Sequence, residues 1–131
     1  MNTETSYGFG HLVEAPFDDV LARTRDALKT EGFGVLTEID VKATMKEKLG
    51  VDQSAYTILG ACNPPLAHRA LEAERELGLL LPCNVIVYET EGGTRVSAMD
   101  PGIMSQLIDN PVLAEVAGEV RARLERVLEN V

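Results

Sequence analysis

The residues of this chain most able to do chemistry are two cysteines, each followed by an asparagine, as Cys62-Asn63 and Cys83-Asn84. Each pair stands beside proline and at the end of a predicted strand. Asn63 is typical of a helix N-cap, where free amide groups and the positive end of the helix dipole favour a thiolate. Cys62 is therefore a candidate nucleophile or ligand-binding group. The competing interpretation is a small buried hydrophobe, because free cysteine is among the most buried residue types.

Cys83 begins an apolar strand, so core packing is the stronger interpretation for this thiol. Residues 83–99 are predicted to form a hairpin with a glycine-rich loop, in which Glu91 pairs with Thr94. In that register Asp100 lies close to Cys83 on the same face, at the open end of the hairpin. Its charge disfavours a thiolate, although Cys83 could still act as a resolving or supporting thiol for the first cysteine.

A second cluster consists of charged residues, Glu38, Asp40, Lys42 and Lys46, around a predicted short helix of residues 41–49. Asp40 is the expected N-cap of that helix. Lys42 and Lys46 are four residues apart, so they share one helical face and repel one another unless an anion lies between them. They could meet an anionic ligand, a thiolate or Glu38. The alternative is a solvated helix face, which is usual for exposed lysines.

A mixed soft-metal site could in principle form from Cys62, His68, Cys83 and Asp100. Their spacing matches no zinc module, so we predict no metal. The sequence also contains no phosphate-binding P-loop, no zinc-protease helix motif and no nucleophile elbow. It indicates no particular cofactor.

The elements that must position these residues alternate between strands and helices. Apolar patterns predict strands at residues 7–13, 33–39, 55–61, 83–89 and 94–99, and helices at residues 16–31, 41–49, 64–76 and from residue 111 onward. Antiparallel pairing with helices on one face predicts an α+β fold, a single domain over residues 1–131. Side chains expected to face inward are Leu66, Ala67, Ala70 and Leu71 in the third helix, and Leu113, Val116, Ala117, Val120, Leu124, Val127 and Leu128 in the last.

Composition narrows the functional classes. The chain has 131 residues, with 21 acidic against 12 basic side chains and a net charge of −9. A surface this acidic repels a phosphate backbone, so no nucleic-acid partner is expected. No apolar stretch approaches the ~20 residues of a membrane span, and the N-terminus has no secretory pattern. We therefore expect a cytoplasmic protein without membrane contact, whose two cysteines stay reduced rather than forming a disulfide.

Four segments of the sequence resemble one family: LTEIDVK at residues 36–42, LGACNP at 59–64, LLLPCNV at 79–85 and MDP at 99–101. In order and spacing they are similar to the domain-of-unknown-function family 302, a set of small bacterial and archaeal proteins, and most similar to its uncharacterised stand-alone members. The resemblance implies a TATA-binding-protein-like β-α-β-β-β-β-α fold with extra short helices and a homodimer. It implies no activity, because fold similarity alone does not carry function. The family's marker positions fall on Glu38, Asp40, Lys42, Cys62, Asn63, Cys83, Asn84 and Asp100.

Three hypotheses follow from these patterns. The leading one is a dimeric binding module for a small anionic or thiol-reactive molecule. A second is an enzyme of thiol or sulfur chemistry in which Cys62 is the nucleophile and Cys83 the supporting thiol. A third is a structural protein, with both thiols in the core and an assembly interface on the last helix. The pocket of the leading hypothesis is lined by Cys62, Asn63, Cys83, Asn84 and Asp100, with Glu38, Lys42 and Lys46 beside it.

Overall fold

One antiparallel sheet organises the molecule. The computed structural model describes the backbone of residues 2–131 and the side chains of residues 5–131. The strands in this part of the chain lie side by side in the order β1-β2-β6-β5-β4-β3, and every neighbouring pair is antiparallel. They are β1 (Asn2–Glu4), β2 (Gly8–Val13), β3 (Gly34–Asp40), β4 (Tyr56–Cys62), β5 (Cys83–Thr90) and β6 (Gly93–Met99).

Helices fill the connections between these strands and follow the last one. The order β2-α1-β3-β4-β5-β6-α5 contains the predicted β-α-β-β-β-β-α arrangement, with shorter helices added between its elements. The predicted α+β class is confirmed. The helices are α1 (Phe17–Thr30), α2 (Val41–Leu49), α3 (Pro64–Ala73), a 3₁₀ helix (Arg75–Leu80), α4 (Gly102–Leu107) and α5 (Pro111–Glu129).

The core lies between one face of the sheet and the helices α1, α3 and α5. Successive side chains of a strand point to opposite faces, so in β5 the alternate residues Cys83, Val85 and Val87 are buried. α1 and α5 pack against this face, and α3 packs against α5. The apolar stripe predicted on the last helix is buried along its whole length, from Leu113 to Leu128.

Polar caps set helix boundaries where the sequence predicted them. Asp40 Oδ1 accepts a hydrogen bond from the amide of Ala43 at 2.9 Å and begins α2, which Gly50 ends with a left-handed φ of 67°. Asn110 Oδ1 accepts from the amide of Val112 at 3.0 Å and begins α5. Both caps satisfy amides that the start of a helix leaves without a partner.

The register of the β5–β6 hairpin differs from the predicted one by two residues. Thr94 pairs with Glu89 rather than Glu91, and Thr90 pairs with Gly93, so the two-residue loop is Glu91-Gly92. Gly93 belongs to the strand through its pairing with Thr90, and the position needs glycine because a Cβ there would lie 2.3 Å from the carbonyl oxygen of Val13. A shift of two residues preserves the predicted faces, since the side-chain period of a strand is two.

The structure differs from the predictions in four further details. β1 and α4 are additional elements, and α4 begins where Asp100-Pro101-Gly102 indicated only a turn. α3 ends at Ala73 rather than near Glu76, because Glu74 is extended and its side chain caps the following 3₁₀ helix. Leu71, predicted to face inward, is 37% exposed.

Candidate functional site

The two cysteines meet at one end of the sheet, where β4 ends at Cys62 and β5 begins at Cys83. Ala61 pairs with Cys83 in the antiparallel register, so Cys62 lies one residue beyond that pair. Both cysteines line a cavity of about 330 Å³ that extends between the strand ends and the helices α3, α4 and α5. Its walls are almost entirely apolar and include Phe33, Leu66, Ala67, Leu77, Met104 and Val120.

The cavity has a buried wall and an exposed rim. Leu77 and Val116 on its inner side are buried, at 0% and 2% exposure. Leu36 and Leu71 also line it but are 65% and 37% exposed. The side bounded by β3 and α3 is therefore the side from which a molecule in solvent would enter.

Both thiols are held in their protonated form near neutral pH. Burial raises the pKa of Cys62 above that of a free cysteine. Burial, and then the charge of a neighbouring Cys62 thiolate, raise the pKa of Cys83 to about 11. Transfer into apolar surroundings disfavours the charged form of an acid, which explains both directions. Burial therefore opposes the predicted activation of Cys62 as a thiolate.

The start of α3 explains why the helix does not activate Cys62. Pro64 and Pro65 occupy its first positions, and proline has no N–H to donate. The next amide, of Leu66, donates to Asn63 Oδ1 at 3.4 Å, and the amide of Ala67 donates to the carbonyl oxygen of Asn63 at 2.8 Å. None of these four positions offers an amide to the thiol.

Asn63 lines the cavity, but its side-chain amide is already bound by the protein. Oδ1 caps α3, and Nδ2 donates to the carbonyl oxygen of Glu31 at 3.4 Å, at the end of α1. The residue is 8% exposed. Its contacts join α1 and α3 to the end of β4, so Asn63 stabilises the fold.

Asp100 is held away from the cavity by Arg121 of α5. Its Oδ2 accepts from Arg121 Nη1 at 2.6 Å, while Oδ1 accepts from the amide of Gly102 at 2.9 Å and fixes the start of α4. The guanidinium of Arg121 also stacks on the ring of Phe9, 3.8 Å from its centre. Asp100 therefore fastens α4 and α5 to the end of β6.

A comparison with known proteins places the chain in a family. The model described as "Domain of unknown function DUF302" matches residues 9–131. The chain belongs to the DUF302 family. It is also similar to a solved structure described as the crystal structure of uncharacterized conserved protein DUF302 from Bacillus stearothermophilus. The two are 31% identical with a TM-score of 0.88, covering 96% of this chain and 98% of the other. No curated protein matches this chain.

Asn84 of this DUF302 protein lies on the opposite face of the sheet from Cys83. It is exposed, and it lines a separate cavity of about 470 Å³ on the uncovered face together with Tyr88, Arg95 and Ser97. Adjacent residues of a strand point to opposite faces, so Cys83 and Asn84 cannot line one pocket from a regular strand. The structure thus separates Asn84 from the cavity that Cys62, Asn63 and Cys83 line, and the same alternation directs the Cys62 side chain away from the sheet face of Ala61 and Cys83.

The charged cluster around α2 lies apart from the thiol cavity. Glu38 forms an ion pair with Arg25 of α1, and Lys46 Nζ lies 3.0 Å from Asp52 Oδ1. Lys42 is exposed on α2. None of these side chains lines the cavity beside the cysteines. The structure therefore does not place Lys42 and Lys46 beside the pocket, where the sequence predicted them.

The mixed soft-metal site considered for Cys62, His68, Cys83 and Asp100 does not form in the part of the chain that the structure describes. His68 lies on the exposed side of α3, with Nε2 3.1 Å from Glu72 Oε1, and Asp100 pairs with Arg121. Within residues 5–131, no group of three or more His, Cys, Asp and Glu side chains could hold a metal ion. In the same part of the chain, none of the helices combines the length and the apolarity needed to cross a membrane.

Several cavity residues of the DUF302 chain were missed by sequence reasoning. Met104 and Leu36 are the main examples: α4 was not predicted, and Leu36 was treated only as part of a strand. Both are apolar residues with no chemical signature of their own. The available signal was the arrangement of α4 directly after β6, which places Met104 at the same end of the hairpin as Cys83.

Proposed function

We propose that this DUF302 chain is a binding module for a small apolar ligand, which enters the cavity beside Cys62 and Cys83. The observation that carries the proposal is the cavity itself: about 330 Å³, apolar on nearly every side, and open along the rim of β3 and α3. Small-molecule sites in proteins have this size and character, with a few polar groups that fix the orientation of the ligand. Here the buried Cys83 thiol takes that role.

The ligand class follows from the charges around the cavity. An anionic ligand would need a cation or free amides, but Lys42 and Lys46 lie on α2 outside the cavity. The amides at the start of α3 are absent or already bound. Binding of an apolar ligand gains roughly 25 cal/mol of free energy for each Å² of apolar surface that leaves water, and it needs neither a cation nor free amides. We therefore favour an apolar molecule over the anionic one.

Thiol chemistry is the second candidate function. The presence of two cysteines in the lining of one cavity favours it. The raised pKa of both thiols opposes it, since the thiolate is the nucleophile. It therefore ranks behind ligand binding. A cytosolic location, where thiols stay reduced, is part of both proposals.

Binding of a neutral apolar fluorophore, N-phenyl-1-naphthylamine, tests the ligand proposal. Ala67→Phe places an aromatic ring at the cavity wall from a half-buried position on α3. We expect it to weaken binding of the fluorophore by at least about tenfold, or about 1.4 kcal/mol. Ala22→Phe, at an exposed position of α1, makes the same substitution away from the cavity and should leave the affinity unchanged.

Three results would contradict the ligand proposal. These are no binding of the fluorophore by the unmodified chain, equal affinity in Ala67→Phe, and equal weakening in both variants. Circular dichroism of each variant confirms that the comparison is made between folded proteins.

We also propose that the protein is a homodimer joined along β3 and α2. β3 is an edge strand whose seven residues are all exposed, and α2 contains no buried residue. A nine-residue helix is not stable in water without packing, and an exposed apolar edge invites pairing. Ile39 and Leu49 are 46% and 69% exposed on this surface. A second copy is the natural occupant because an antiparallel edge strand can pair with itself across a twofold axis.

Sedimentation measurements on two matched variants test the dimer. Leu49→Lys places a charge on this surface and should yield monomers at concentrations where the unmodified chain is dimeric. Leu79→Lys alters a leucine that is 83% exposed on the 3₁₀ helix and should leave the dimer intact. A monomeric unmodified chain, or a dimer that persists in Leu49→Lys, would refute this interface.

A further inference from the structure

The uncovered face of the sheet carries a second cavity, of about 470 Å³, which the proposed function does not use. Its described lining comes from β2, β5, β6 and the turn that precedes β2. Asn84, Ile86 and Tyr88 form one row of side chains along β5, on the face opposite to the buried residues of that strand. Ser97 and Arg95 of β6 stand beside Ile86 and Tyr88 in the same cavity.

Glycines of β2 keep one side of this cavity low. Gly8 lines it, and a Cβ there would lie 3.0 Å from the carbonyl oxygen of Ala98. Gly10, the next residue of β2 on this face, pairs with Ser97, and a Cβ there would lie 2.3 Å from Ser97 Oγ. Because no side chain rises from either position, a flat molecule in the cavity can approach the backbone of β2 closely.

Tyr88 supplies an aromatic wall. Its ring stacks on Tyr56 of the neighbouring strand, with 5.1 Å between the ring centres and 11° between the ring planes. Tyr56 covers one face of the Tyr88 ring without lining the cavity, so a ligand meets the other face. Stacking on tyrosine suits any planar heterocycle, since every such ring has a π face. The contact with Tyr56 also restrains the Tyr88 ring, which lowers the entropy lost when a ligand stacks on it.

Asn84 and Ser97 supply hydrogen-bonding groups. Within residues 5–131, neither side chain forms a hydrogen bond with another protein group, whereas Asn63 and Asn110 both cap helices. An asparagine amide presents an N–H donor beside a carbonyl acceptor, so it matches a ligand edge on which an acceptor adjoins a donor. No acidic side chain among residues 5–131 lines the cavity and Arg95 does, which disfavours a cation.

The distance between the aromatic wall and the free amide sets the size of the ligand. Asn84 and Tyr88 are four residues apart on one strand, so their Cα atoms lie about 13 Å apart. A single ring cannot contact both side chains at once. A system of three fused rings can, with the half-buried Ile86 beneath its centre.

We infer that this cavity binds an uncharged three-ring heteroaromatic molecule, of which the isoalloxazine of riboflavin is the type. The benzenoid end of the ring system stacks on Tyr88. At the other end, a ring N–H and the carbonyl group beside it pair with the side-chain amide of Asn84. The inference stands apart from the apolar ligand and from the dimer, because neither the cavity beside the cysteines nor β3 shares these two residues.

Equilibrium dialysis of riboflavin against the full chain, in the dark, tests the inference. We expect a dissociation constant of about 1–100 µM. Asn84→Ala removes the paired edge and should weaken binding about tenfold, and Tyr88→Leu, which removes the ring, should do the same. Tyr88→Phe keeps the ring and should change the affinity by less than about twofold. Thr90→Ala, at an exposed position of β5 outside the cavity, is the matched control and should have no effect.

Four results would overturn the inference. They are no binding of riboflavin by the unmodified chain, equal affinity in Asn84→Ala and Thr90→Ala, and equal affinity in Tyr88→Phe and Tyr88→Leu. The fourth is a shift of Tyr88→Leu towards monomers in sedimentation, which would assign this face to a second copy of the chain. Asn84 and Thr90 are both exposed, so their comparison does not depend on a change in folding.

Riboflavin and the apolar fluorophore distinguish the two cavities. Ala67→Phe should leave the affinity for riboflavin unchanged, and Tyr88→Leu should leave the affinity for the fluorophore unchanged. Competition between the two probes would place them in one cavity and contradict the assignment of a second site. If the fluorophore fails to bind while riboflavin binds as expected, the proposed function fails and this inference stands.

Discussion

Replacing Asn63 with alanine should destabilise the protein while leaving the cavity's affinity for an apolar fluorophore unchanged. The side chain makes two hydrogen bonds, one to the amide of Leu66 and one to the carbonyl oxygen of Glu31, each 3.4 Å long. Loss of an N-cap costs about 0.5–2 kcal/mol, and a neutral hydrogen bond contributes about 0.5–1.5 kcal/mol. Because both bonds are long, and Arg123 also donates to Glu31 at 3.0 Å, we expect a total near the low end. The expected loss is about 1–2 kcal/mol.

Urea denaturation at neutral pH measures this loss. Asn63→Ser keeps a cap oxygen but not the bond to Glu31, so it should lose about half as much as Asn63→Ala. Asn110 is a matched control outside the cavity: its side chain also caps a helix, through Val112 at 3.0 Å, and joins it to another, through Ala73 at 3.2 Å. Asn110→Ala should cost at least as much stability as Asn63→Ala, because its bonds are shorter.

A ligand-binding role for Asn63 would give the opposite result. Stability of Asn63→Ala would then match the unmodified chain, and the affinity for the fluorophore would fall by about tenfold or more. That outcome would refute the assignment of Asn63 as a structural cap.

Three further outcomes are expected. Iodoacetamide should alkylate Cys62 more slowly than a model thiol at pH 7, followed by mass spectrometry, because burial raises its pKa. The free energy of unfolding should fall by up to about 2–3 kcal/mol as pH rises from 9 to 11. The reason is that folded Cys83, whose pKa is about 11, keeps a proton that the unfolded chain releases near 9.0. Cys83→Ala should show no such fall, and equal pH curves for the two proteins would contradict the reasoning. Leu124→Ala, at a position with 0% exposure in the centre of α5, should cost about 3 kcal/mol in urea denaturation; a loss below about 1 kcal/mol would refute its place in the core.

Elements with strong local signals were predictable from the sequence. α2 begins after the aspartate expected to cap it, α5 begins at the predicted residue 111, and the buried stripe of α5 follows the helical period. β1 and α4 lacked such signals because they are only three and six residues long. β1 depends on pairing with β2, and α4 on the contact of Asp100 with Arg121.

The candidate site was predictable only in part. The leading hypothesis grouped Cys62, Asn63 and Cys83 in one pocket without fixing the distance between the cysteines, and all three line the cavity. The reason that the start of α3 does not favour a Cys62 thiolate stood in the sequence, since Pro64 and Pro65 bring no N–H to the helix start. Helix dipole and free amides therefore have to be considered separately, residue by residue.

The sequence by itself determined the α+β class, most helix and strand limits and the inward stripe of the last helix. These features depend on short-range periodicity and capping, which involve residues within a few positions of one another. Tertiary structure alone decided that Asp100 pairs with Arg121 and that Met104 lines the same cavity as the cysteines. Such contacts depend on how α4 and α5 dock against the sheet, and docking is decided by the packing of side chains far apart in the chain.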